Sequence, residues 1–185
     1  MPVEFNGELQ IDNQAYFCLP ILRNYSIFAY SLFKSMISKN DTISKAQACF
    51  DEGYACSQSV LLAFADQFDL DERTAKLISS TFGGGMGRLR KTCGAVTGGF
   101  MVLGMAYGNE NPKDMDTKLF AYRKVRELHH QFEDIHGTTN CKELLQKHAT
   151  QAQVEERKHH SIICRQLVSE VTGLVYDMLE QKNDQ

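Results

Sequence analysis

From Thr42 onward, apolar positions recur every three or four residues, the period of a helix with one buried face. A short helix is predicted from Thr42 to near Gly53, and a second from about Tyr54 to Phe68 with Val60, Leu61, Phe64 and Phe68 inward. Asp69 followed by Glu72 reads as a capping pair opening a third helix, with Ala75, Leu77, Ile78 and Phe82 on its inner side. The glycine run Gly83-Gly84-Gly85-Met86-Gly87 ends it. The segment from about Gly94 to Tyr107 is apolar on every side, which predicts a buried central helix, and Gly94 and Gly98 let neighbours come close. Asn111 and Pro112 offer a cap and a preset first turn to a long helix on Met115, Leu119, Tyr122, Val125, Leu128 and Phe132, closed by Gly137. Thr138 or Thr139 then caps a short helix through Leu145. After a charged linker, a last helix runs from about His160 to Glu180 on Ile163, Leu167, Val171, Leu174 and Met178. Strand-like Val/Ile/Thr alternation hardly appears, so the expected fold is all-α: a compact helical bundle around a buried, glycine-rich central helix.

Residues 1–40 lack this periodicity. They read as an amino-terminal extension, dispensable or mis-started, because Met36 precedes the polar boundary Ser38-Lys39-Asn40-Asp41. The rival reading is a docking arm built on Tyr16, Phe17, Tyr25, Phe28, Tyr30 and Phe33. Residues 41–181 form the expected helical domain. The run Phe17 to Phe33 is broken by Arg23 and Asn24 and is short for a membrane span, as is Phe100 to Tyr107. With 185 residues the chain can bury a core without disulfide staples. A net charge of -3 argues against a nucleic-acid or anionic-membrane partner. No basic, cleavable leader precedes the apolar run, so the expected location is the cytoplasm and the six cysteines are expected to be reduced.

Candidate chemistry gathers at those cysteines. Cys93 follows the glycine run and the cations Arg88, Arg90 and Lys91, at the start of the central helix. Unpaired N–H groups at a helix start and nearby cations both favour thiolate, so Cys93 is expected to have a lowered pKa. Cys56 stands three residues after Gly53, Cys141 follows Thr138-Thr139, and Cys164 falls in the predicted first turns of the last helix. All four are thus expected near helix N-termini, where one shared site would stabilise thiolates or a thiolate-ligated cluster. Cys18 and Cys49 are assigned to packing.

At these four residues the chain resembles the C-GCAxxG-C-C family of redox-active proteins, in which one cysteine precedes a Cys-Gly-Ala-x-x-Gly core and two follow. The core here is Cys93-Gly94-Ala95-Val96-Thr97-Gly98. Gly53-Tyr54-Ala55-Cys56-Ser57-Gln58-Ser59-Val60 and Gly137-Thr138-Thr139-Asn140-Cys141-Lys142-Glu143-Leu144-Leu145 also look like the family, whereas Cys164 has no glycine-marked word of its own. The likeness covers about Ser44 to Leu179 and implies a redox role. A related domain is associated with iron–sulfur binding beside haem, but no Cys-x-x-Cys-His occurs here, so covalent haem is not supported.

Three readings stay open. In the first, Cys93 attacks as a thiolate in thiol/disulfide or persulfide chemistry and Cys56, Cys141 or Cys164 resolves it, although no Cys-x-x-Cys pair is present. In the second, the four cysteines hold an iron–sulfur cluster or another soft metal, zinc being the poorest option without local chelate pairs. In the third, the cysteines merely pack in a non-catalytic interaction module, a homodimer through exposed apolar helix faces. A redox partner protein, a small thiol or an anion docking on Arg88 and Arg90 is the expected partner. His129, His130, His136, His159 and His160 read as a solvated polar face, with His136, five residues before Cys141, the best of them as a metal ligand. The glycine run follows a helix and lacks Gly-Lys-Ser/Thr, so it is no phosphate loop.

Overall fold

The computed structural model describes residues 38–149 and 156–183, without the side chains of 148–149, 156–160 and 182–183. Apart from Ser38 to Asn40, the expected extension, with Cys18 and its aromatics, lies outside the described residues, as do the side chains of His159 and His160. The described residues are all-α. Helices are α1 (Lys39–Asp51), α2 (Cys56–Phe64, continued as a 3-10 turn over Ala65–Phe68), α3 (Glu72–Ser79), α4 (Gly94–Tyr107), α5 (Met115–His136), α6 (Cys141–Ala149) and α7 (Glu156–Asn183). None is long and apolar enough to cross a membrane.

Local capping chemistry sets the helix starts, and several differ from the sequence reading. Ser38 caps α1 in a reciprocal box with Asp41, so the supposed boundary tetrapeptide is itself the cap. Asp71 caps α3, its Oδ1 accepting from Thr74 N at 2.9 Å, while Asp69 sits left-handed at φ 53° and ends the turn before it. Asp114, not Asn111, caps α5, accepting from Thr117 N at 3.0 Å; Asn111 accepts from Lys113 N and holds the preceding turn. Asn140 caps α6 through bonds from Lys142 N and Glu143 N. At α3, α5 and α6 the Asx side chain immediately before the helix is the cap, because only from there does it meet the open N–H groups. Helix α7 begins at Glu156, earlier than expected, because the charged linker is made of helix formers.

Helix α4 is the centre, packing against α2 on one side and α5 and α7 on the other. Val96, Val102 and Leu103 are fully buried in it, each contributing about 1.5–3 kcal/mol of burial. Two adjacent glycines make the double contact possible. A Cβ on Gly98 would stand 2.8 Å from Ser57 O and 3.0 Å from Val60 Cβ, whereas one on Gly99 would meet Leu128, Val171 and Val175. Helix α1 lies along α7, tied by Lys39–Asp177 at 2.6 Å and Arg165–Asp51 at 2.8 Å. Tyr107 OH donates to Met178 O at 2.8 Å and joins α4 to α7.

Two apolar stripes do not turn inward as expected. In α5, Leu128 and Phe132 are buried but Met115, Leu119 and Tyr122 are exposed. In α3, Ala75 is buried while Leu77 and Ile78 face outward. Periodicity identifies an apolar face, but neighbours must exist along its whole length to cover it. Cys49 packs in the core, as assigned.

The glycine contacts predict opposite signs for two substitutions in one helix. Gly98→Ala is expected to lower stability by about 1–3 kcal/mol, because its Cβ is driven against backbone. Gly104→Ala, with nothing within 4 Å, is expected to raise it by about 0.5–1 kcal/mol through helix propensity. Urea unfolding of both variants measures the difference.

Candidate functional site

Three of the four signature cysteines stand where a helix begins. Cys56 is the first residue of α2, Cys141 is the first of α6 and Cys93 is the N-cap of α4. Cys164 is not at a helix start: with α7 beginning at Glu156, it lies in the helix interior, half-buried. Cys56, Cys93, Cys141 and Cys164 nonetheless line one small, enclosed cavity of about 10 Å³ with Gly84, Gly85, Gly94, Leu144, Leu145 and Leu167. That is room for about one water. No disulfide joins the described cysteines.

Close backbone approach at the glycine loop brings these helix starts together. A Cβ on Gly83 would lie 2.4 Å from Ala55 Cβ, one on Gly85 2.6 Å from Cys141 Cβ, and one on Gly94 3.2 Å from Cys56 Cβ. From Gly84 to Arg88 every residue has a φ between 62° and 71°, a left-handed turn. Glycine takes this conformation freely; Met86 and Arg88, and Arg90 just beyond at φ 58°, do so at a cost of about 1–2 kcal/mol each. Such strain persists only where the surrounding structure enforces it. Beyond the turn, Thr92 and Asn140 form an isolated antiparallel bridge. Cys93 N donates to Thr139 O at 2.8 Å, and Cys141 N donates to Lys91 O at 2.6 Å. This bridge, which periodicity does not reveal, pairs the starts of α4 and α6.

Electrostatics at the thiols differ from the sequence expectation. Cys93 is 4 % exposed, and burial pushes its pKa up to about 12 even though the N–H groups of Ala95 and Val96 at the helix start oppose it. A helix terminus favours thiolate, but removing the sulfur from water costs more. Cys141 is raised too, mainly by burial, with the Arg90 guanidinium 3.8 Å from its sulfur acting the other way. Cys56 and Cys164 share a thiol hydrogen bond that raises Cys56 well above the usual range and lowers Cys164, which also feels the Arg90 charge. The most acidic thiol of the four is therefore Cys164, not Cys93.

Of the three cations expected to hold Cys93, Arg90 alone reaches the sulfurs among the described residues. Arg88 is exposed and packs over Gly84; Lys91 is exposed and joins the site through its backbone. His136 is buried but bonds Glu170 Oε2 at 2.7 Å and stacks near Phe132, so it does not join the cysteines. His129, His130 and Glu133 bring their ligand atoms within 4.8 Å of one another on α5, with His129 Nε2 3.1 Å from Glu133 Oε2. None of these lines the cysteine cavity. Unforeseen from sequence were the lining leucines Leu144, Leu145 and Leu167; the word Cys141-Lys142-Glu143-Leu144-Leu145 carried the first two, placing them one turn on from Cys141.

The family model described as "Putative redox-active protein (C_GCAxxG_C_C)" matches residues 54–178. No curated protein and no solved structure matches the chain.

Two outcomes follow from this geometry. Gly85→Ala and Gly87→Ala both place alanine at positive φ, but only Gly85→Ala also meets Cys141 Cβ, whereas Gly87 has Thr81 O at 3.5 Å. Gly85→Ala is expected to be the more destabilising by at least about 1 kcal/mol, by urea unfolding. In the reduced, metal-free protein, an unfolded Cys93 thiol titrates near ~8.5, whereas the folded one holds its proton to about 12. Stability contributed by this thiol is complete below the first value and is lost as pH rises through the second, at about 1.4 kcal/mol per pH unit. Thermal melts across this window should show a steep alkaline decline that Cys93→Ala makes shallower.

Proposed function

The chain belongs to the C_GCAxxG_C_C family, and from that premise we propose that Cys56, Cys93, Cys141 and Cys164 together hold an iron–sulfur cluster for electron transfer. The convergence of the four cysteines on one enclosed, apolar cavity carries this reading. Thiol exchange needs an accessible thiolate. Cys56, Cys93 and Cys141 are each at most 9 % exposed and have raised pKa values, which suits ligands better than nucleophiles.

The donor set supports a soft, sulfur-seeking centre. Four thiolates meeting at one apolar cavity are the donor set of an iron–sulfur centre. When bound, such a cluster supplies one-electron transfer. The Ala95 and Val96 N–H groups and Arg90 then offset the negative charge of the ligated sulfurs, while Leu144, Leu145 and Leu167 exclude water. As the thiols stand, the cavity takes about one water, so loading must part its walls; the left-handed glycine turn is the wall without side chains.

A second reading rests on the Cys56–Cys164 hydrogen bond and the lowered Cys164 pKa. Here Cys164 thiolate attacks a disulfide acceptor, one acceptor sulfur leaves as thiol, and Cys56 closes an internal disulfide as the second leaves.

Anaerobic reconstitution with ferrous iron and sulfide separates the two. The expected result is visible sulfur-to-iron absorbance with iron and sulfide bound, reduced at least tenfold by alanine at Cys56, Cys93, Cys141 or Cys164 and retained by Cys49→Ala. A colourless protein that forms only a Cys56–Cys164 disulfide on oxidation would overturn the cluster and establish the second reading.

A further inference from the structure

On the outer side of the glycine loop lies an open groove of about 450 Å³, lined by Phe82, Met86, Thr92, Thr97, Phe100 and Met101. The loop that lines it also contributes residues to the cysteine cavity. Along that loop, Phe82, Met86 and Thr92 line the groove, while Gly84, Gly85 and Cys93 line the cavity. Thr92 and Cys93 are consecutive, so one peptide unit joins a groove residue to a buried sulfur.

The rim is chemically distinct from the rest of the chain. The turn that closes from Leu89 N onto Met86 O at 3.2 Å ends on Leu89, which is 71 % exposed. Arg88 and Lys91 flank it, both exposed and, among the described residues, outside the ion pairs that occupy Lys39, Lys45, Lys76, Lys124 and Arg165. A chain of net charge -3 thus presents two exposed cations, Arg88 and Lys91, on either side of an exposed leucine in the segment between the groove residues Met86 and Thr92. Leaving a large apolar side chain exposed between unpaired cations gains nothing for folding, but it suits an interface with an apolar core and a charged rim.

We propose that the groove and the Arg88–Lys91 turn form the docking face for an acidic electron-carrier protein, which seats an apolar contact against Leu89 and the Phe/Met groove and carboxylates against Arg88 and Lys91. The proposal rests on the cysteine centre being an electron-transfer centre. Charge complementarity selects the occupant: a second copy would meet its own like-charged rim in a symmetric contact, and a small ligand would find in the groove few polar groups to orient it. Opposite charge also steers encounter toward this face.

Titration of the reconstituted full chain with a small acidic ferredoxin, followed by backbone amide shifts, tests this, with a basic c-type cytochrome as counter-probe. Expected are shifts concentrated at Met86, Leu89 and Thr92, affinity falling about tenfold or more from low to high salt, and no comparable binding of the basic probe. Leu89→Asp should weaken binding about tenfold with unchanged iron content, and Arg88→Glu with Lys91→Glu should remove most of the salt dependence. Shifts on another face, self-association through the groove, equal affinity for both probes, no binding, or wild-type affinity in Leu89→Asp would each overturn the docking face. Failure to take up iron and sulfide, measured separately, would instead remove the electron-transfer reading.

Discussion

Backbone approach at a handful of glycines is the constraint on which this structure depends. Gly83 against Ala55, Gly85 against Cys141 and Gly94 against Cys56 draw the starts of α2, α4 and α6 to one point. The first two contacts are closer than a Cβ permits and the third is tight, so a side chain at Gly83 or Gly85 would force the neighbouring segment away and one at Gly94 would need Cys56 to give by a few tenths of an ångström. The Cys-Gly-Ala-x-x-Gly word has the same logic at helix scale, because Gly94 faces Cys56 and Gly98 faces Ser57 one turn later. The motif therefore encodes proximity as much as reactivity.

Proximity of this kind has an electrostatic consequence. Helix starts and Arg90 favour negative sulfur, yet a cavity walled by leucine and glycine penalises any charge placed there alone. Desolvation wins for Cys93 and Cys141, the hydrogen bond with Cys164 and then burial raise Cys56, and the one thiol that is lowered, Cys164, is half-buried and hydrogen-bonded by its neighbour. An environment that holds thiols neutral while aiming dipoles at them is poorly suited to open nucleophilic attack. It is well suited to ligands whose protons leave only when a positive centre arrives.

The left-handed turn connects the inside of this arrangement to its surface. Gly84 and Gly85 line the cavity, whereas of its strained non-glycine residues Met86 lines the outer groove and Arg88 is exposed. Strain held at such a position has functional meaning only because packing from Ala55 on one side and Cys141 on the other enforces it.

Much of this was written in the chain. The all-round apolarity of Gly94 to Tyr107 identified the central helix, because only a surrounded helix tolerates it, and the family's words around Cys56, Cys93 and Cys141 singled out three helix-start thiols. Helix periodicity is local, and so it could not say where neighbours stop: Met115, Leu119 and Tyr122 continue the stripe of Leu128 and Phe132 beyond the region where anything covers it. The meeting of Cys164 with the other three cysteines at one cavity, the Thr92–Asn140 bridge and the order of thiol acidities were decided by tertiary structure alone. Each depends on how far one segment stands from another across the bundle, and distance through space, unlike helical period, leaves no repeat in the sequence to read.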